Sequence, residues 1–170
     1  MSKAALKKAI KDMERDSLAV VIMELYESRP EAKDYLEFWL NPDAEAELQK
    51  YRKKVFKIFF ISEGKPRRSP AFAELKTLTK YFISLGVESE KVADLMLYIL
   101  ECYRDWLAHR RYVISHAARF DKLYDETATY IDAAGLEDLY GIRLSRIKET
   151  VDDIFENSSR RITSRWRWSW

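Results

Sequence analysis

The chain is poor in glycine and proline and nearly devoid of cysteine. Four glycines and four prolines in 170 residues are too few for the many tight turns of a sandwich or barrel, and they suit long helices with short connections. The single cysteine, Cys102, rules out an intramolecular disulfide and a cysteine-based zinc site and suits a reducing compartment. No run approaches the ~20 uncharged apolar residues of a membrane span. The three lysines among the first ten residues are not followed by the apolar core of a signal peptide. The expected address is the cytoplasm.

Catalytic signatures are missing too. There is no Gly-x-Ser-x-Gly elbow to expose a nucleophilic serine, and no Gly-x-Gly-x-x-Gly or Gly-Lys-Ser/Thr cradle for phosphates. Cys102 lies beside Glu101 in an apolar stretch, whereas a reactive thiolate wants a neighbouring cation or a helix N-terminus. It reads as a small core residue. An enzyme is disfavoured, and no cofactor is called for.

What is present is ample material for a core. Apolar residues make up 47% of the chain and charged residues 34%, outside the low-hydrophobicity, high-charge regime of disorder. The length suits one domain. Apolar side chains recur at three- and four-residue spacing almost throughout. Ser2 reads as the cap of a first helix bearing Leu6, Ile10 and Met13. Asp16 reads as the cap of a second, which carries Leu18, Val21, Ile22 and Leu25 and pairs with the first as a hairpin. Pro30 opens a third helix whose buried side is Tyr35, Leu36, Trp39 and Leu40. A fourth presents Leu48, Tyr51, Val55, Ile58 and Phe59.

Residues 62–70, with one glycine, two prolines and three cations, read as a joint between two helical halves. Beyond it, Phe72 to Leu85 forms a stripe stopped by Gly86 in the left-handed conformation. The stretch from Glu88 to about Arg110 is apolar on so many sides that it reads as the central helix. Residues 114 to 134 and a last helix bearing Leu144, Ile147, Val151, Ile154 and Phe155 complete the series, with Tyr140-Gly141-Ile142 as an interruption near its start. The expectation is an all-α domain over 1–157, of about seven to eight helices, arranged as a bundle or as an irregular repeat-like array.

Two constellations bear on function. Glu101, Asp105 and His109 stand at i, i+4 and i+8 on one helix and are the candidate metal ligands. Neither His109 nor His116 has the glutamate three positions earlier that dinuclear carboxylate bundles use, so a solvated helix face is the favoured reading. The second constellation is a basic tail over 158–170, in which Arg160, Arg161, Arg165, Trp166, Arg167, Trp168 and Trp170 stand without an acid. Formal net charge is only +2, so the tail is basic on a near-neutral body. Guanidinium and indole groups suit single-stranded nucleic acid or an anionic membrane surface. In an extended strand the three indoles would share one side, ready to pack on this protein, a second copy or another partner. Lys3, Lys7, Lys8 and Lys11, with Lys65, Arg67 and Arg68, would extend a phosphate footprint, although interleaved acids weaken it.

The opening Ser2-Lys3-Ala4-Ala5-Leu6-Lys7-Lys8, then Leu25-Tyr26 and the run from Glu31 to Phe38 ending in Asn41-Pro42, resembles a family of small bacterial helical proteins that carry no assigned function. The likeness covers the first third of the chain as a pattern of packing and capping residues. It implies a bacterial cytosolic protein and transfers no catalytic residue.

The resulting expectation is an interaction or scaffolding module that binds a macromolecular partner or associates with itself. A nucleic-acid-binding protein using the tail and the basic first helix is the first rival. A metal-dependent enzyme is the second.

Overall fold

The computed structural model describes residues 2–111 and 113–166. Eight α-helices account for most of them: α1 (Lys3–Lys11), α2 (Arg15–Ser28), α3 (Pro30–Leu40), α4 (Ala44–Phe59), α5 (Phe72–Ser84), α6 (Ser89–Ala108), α7 (Ala117–Ala133) and α8 (Glu137–Trp166). The only strands among the described residues are the short β1 (Phe60–Ser62) and β2 (Lys65–Pro66), which pair antiparallel. The protein is all-α. It divides into two compact units, Met1–Asp43 and Ala44–Trp170.

In the first unit, Ser2 caps α1 by accepting the Ala5 amide at 3.2 Å. Pro30 occupies the first turn of α3, where its missing N–H leaves nothing unpaired. The second helix starts earlier than Asp16 suggests. Its N-cap is Glu14, which makes no side-chain cap bond, and Asp16 lies within the first turn, where a carboxylate still favours the helix dipole. The helices that pack along one another are α2 and α3, not α1 and α2. Tyr26 on α2 donates its hydroxyl to Glu37 Oε1 on α3 at 2.9 Å.

The buried side expected of α3 is not buried. Trp39 and Leu40 are 67% and 73% exposed and Tyr35 is exposed as well, while Leu36 is half-buried. None of α1, α2 and α3 contains a buried residue. Three short helices in so small a unit have too little mass to cover one another's apolar faces.

The second unit is built around α6, which packs on α4, α5, α7 and α8. That is a bundle about a central helix, because a repeat array would contact only neighbour to neighbour. Ten residues of α6 are buried, among them Leu95, Leu97, Leu100 and Leu107 with essentially no exposed surface. Each such side chain contributes on the order of 1.5–3 kcal/mol by leaving water. The α4 stripe is buried as its spacing requires, at Leu48, Tyr51, Val55, Ile58 and Phe59. Gly86 has φ +78° just past α5, a backbone conformation that any side chain would strain.

Residues 62–70 lie inside this second unit, and the division of the chain falls instead between Asp43 and Ala44. The reason is local pairing. Gly64 (φ +66°) turns the chain between β1 and β2, and the Arg67 amide donates to the Phe59 carbonyl at 2.8 Å. The Trp106 indole N–H then ties the Arg67 carbonyl to α6 at 2.8 Å. Neither does Tyr140-Gly141-Ile142 interrupt α8, which runs through it.

Candidate functional site

The residues singled out as metal ligands do not converge. Glu101 faces α8, where Arg143 donates through Nε to its Oε1 at 2.7 Å and through Nη2 to its Oε2 at 2.8 Å. Asp105 accepts from its neighbour Arg104 at 2.8 Å. His109 caps α6 and uses Nδ1 on the Asp105 carbonyl at 2.7 Å. Among the described residues no three His, Cys, Asp or Glu side chains gather as a metal-holding group.

The Glu101 pair belongs to a larger network. Arg143 also donates to Asp94 Oδ1, and Asp94 Oδ2 accepts from Arg52 on α4 at 2.7 Å. The Arg52 guanidinium lies 5.2 Å from the centre of the Tyr98 ring. Three helices, α4, α6 and α8, are thereby joined by alternating charges that are largely but not fully out of water. Two flanking carboxylates hold Arg143 well above the ordinary guanidinium range, the Glu101 hydrogen bond contributing most. The arrangement is a clamp, since every carboxylate in it is already occupied.

A second polar centre lies where α6 meets the 3₁₀ turn Ile114–His116 and α7. The Tyr103 hydroxyl is 3.0 Å from His116 Nδ1, with Phe72, Trp106 and Phe120 packed around them. Burial pushes the Tyr103 phenol up to about 12. Burial first, and then the Arg119 and Arg110 guanidinium groups, hold His116 below its usual value. Both shifts favour the neutral forms, so the pair is suited to a packed hydrogen bond and poorly suited to proton transfer at neutral pH. Cys102 is similarly quiet: it is buried, and desolvation raises its thiol to about 12.

The candidates in the C-terminal segment separate into two groups. Ser158 is buried, and its hydroxyl accepts the Val113 amide at 3.1 Å, so the boundary expected before residue 158 falls within a packed part of α8. Helical backbone continues to Trp166, which removes the extended geometry from that stretch. Arg160 and Arg161 are exposed on α8, and Arg160 pairs with Glu156 at 2.6 Å. Arg167, Trp168 and Trp170, and the side chains of Arg165 and Trp166, lie outside the described residues.

The most extensive candidate surface is on the first unit. Eleven large hydrophobics between Leu6 and Leu40 are exposed. Charge is sorted across the same helices. Helix α1 carries Lys3, Lys7, Lys8 and Lys11 and no acid, while α2 and α3 together carry six acids against Arg15 and Lys33.

Sequence reasoning missed Arg143, Asp94 and Arg52. The one available signal was the seven-residue separation of Asp94 and Glu101, two turns apart on one face of α6. It marks a shared face and says nothing of the distant arginine that fills it.

No curated protein and no solved structure matches the chain. The likeness to a family without assigned function extends well past the first third: residues 1–164 match a family of unknown function (DUF6155), and the chain belongs to that family.

Proposed function

We propose that this protein is an interaction module that associates with a second copy of itself through helices α1–α3. The reading is carried by one observation: three consecutive helices hold no buried residue while exposing ten large hydrophobics. Apolar side chains exposed in such number are a liability in water, and the ordinary remedy is a partner. A small helical unit without a core of its own also gains stability by oligomerising.

Charge selects the occupant. The lysine-bearing α1 complements the acidic α2–α3 pair, yet α1 does not pack along either within its own chain. Two copies related by a twofold axis satisfy both: α1 of each lies on α2–α3 of the other, and the same patch is used twice. Apolar contacts supply the affinity, and opposite charges set the register.

The test is the mass of the full chain in solution, before and after Leu6 and Ile10 on α1 are both changed to Asp. The native chain is expected as a dimer and the double variant as a folded monomer. A native chain that is monomeric, or a double variant that remains dimeric, contradicts the proposal.

A further inference from the structure

We propose that the cleft between α4, the segment after β2 and the start of α5 binds a small aryl phosphate, with Arg67 gripping the phosphate and Ile58 and Leu78 supporting the apolar body. The cleft has a volume of about 480 Å³, within the range of small-molecule sites. Lys54 and Lys57, one turn apart on α4, line it together with Arg67 and Ser69. Glu74 is the single acid in the lining. Lys57 and Arg67 are the cations that face a phosphate dianion, while Lys54 lies over the Tyr51 ring at 4.6 Å and keeps the lining net positive beside Glu74.

Arg67 is held in place before any ligand arrives. Its amide donates to the Phe59 carbonyl, and its carbonyl accepts from the Trp106 indole and from Arg110. Its side-chain Nε donates to the Lys57 carbonyl at 2.6 Å. With backbone and Nε fixed, the guanidinium is held beside the cleft that Arg67 lines. A fixed guanidinium loses little freedom when it takes a phosphate, which is the usual advantage of arginine over lysine at such sites.

The start of α5 adds to the field. Its N-cap is Ala71, which has no side chain able to cap the first turn, and Ala71 also lines the cleft. The positive end of the helix dipole therefore reinforces the three cations. On the far side the space continues along α5 past Thr77 to Tyr81, sharing Lys54, Glu74 and Leu78 with the first cleft. That continuation is mostly apolar, so a ligand with its phosphate at Arg67 has room for an aromatic body reaching toward Tyr81.

The neighbouring cleft among α5, α6 and α7 is smaller, about 200 Å³, and lined by Leu75, Met96, Ile99 and Leu123. Lys76, Lys80 and Glu126 also line it, but it contains no guanidinium to take a phosphate in a fork.

The experiment is a titration of the full chain at low salt with phenyl phosphate, inorganic phosphate and phenol, followed by isothermal calorimetry. Phenyl phosphate is expected to bind about tenfold more tightly than inorganic phosphate, and phenol not at all. Arg67→Ala and Lys57→Ala are each expected to weaken phenyl phosphate by about tenfold, the loss typical of one charge-assisted hydrogen bond. Lys122→Ala, an exposed cation on α7, is expected to leave the affinity unchanged. Lys57 is exposed on α4, so its variant reports on binding even if Arg67→Ala disturbs the hairpin. Absence of phenyl phosphate binding overturns the proposal. So does equal affinity in native and Lys57→Ala proteins, or an equal loss in Lys122→Ala. None of these readouts depends on whether the protein dimerises.

Discussion

Arg143 on α8 meets Glu101 on α6 with two parallel hydrogen bonds of 2.7 and 2.8 Å, and this pairing converts a suspected metal ligand into a structural clamp. The fork geometry matters. A guanidinium can reach both carboxylate oxygens and Asp94 together, whereas an ammonium is a point charge on a flexible stem.

Arg143→Ala should therefore destabilise the second unit by about 1–3 kcal/mol, since it leaves Glu101 and Asp94 partly buried without their shared cation. Residual exposure of the network keeps the effect below that of a fully buried pair. Arg143→Lys should recover less than half of the loss. Urea denaturation of both variants against the native chain measures it, and full rescue by lysine would show that charge alone suffices.

His116 predicts a pH dependence. Its folded form is held below the ordinary 6.5 by burial and by Arg119 and Arg110, so on acidification the unfolded chain takes up the proton first. Stability from this group is fully present above about pH 6.5 and is lost as the pH falls below that value. His116→Gln keeps a hydrogen-bonding partner for the Tyr103 hydroxyl and removes the titration. Denaturation at pH 7.5 and 5.5 should show the native protein losing more stability than the variant, and equal losses would refute the assignment.

The central helix predicts a large cavity effect. Leu97 on α6 has no exposed surface, so Leu97→Ala should cost about 2–5 kcal/mol. Thermal unfolding followed by circular dichroism reports the change, and a cost below about 1 kcal/mol would mean that the bundle repacks freely around α6.

The second unit was legible because its helices bury one face each. Leu48, Tyr51, Val55, Ile58 and Phe59 could be placed from three- and four-residue spacing, and the breadth of apolar sequence after Glu88 marked α6 as central. The first unit has the same periodicity, yet Tyr35, Trp39 and Leu40 are exposed. Periodicity identifies the face a helix would bury and not the partner that buries it. The β1–β2 hairpin escaped notice because Glu63-Gly64 is a two-residue turn inside a stretch rich in prolines and cations, which reads equally well as a loop. The clamp residues escaped because their meeting spans 42 to 49 positions in sequence, a range over which spacing rules are silent.

Salt should act on the proposed self-association in one direction. Lysines of α1 facing acids of α2–α3 in another copy lose part of their attraction as ions screen them. Raising ionic strength is expected to speed dissociation of the dimer modestly while apolar contact preserves it. Dissociation that slows with added salt would place like charges, not opposite ones, across the contact.

The most direct measurement is sedimentation equilibrium of the full chain across the micromolar range at neutral pH. Burial of the α1–α3 face between two copies predicts a single species of twice the 20.2 kDa chain mass. A chain that sediments at its monomer mass at every concentration would contradict it.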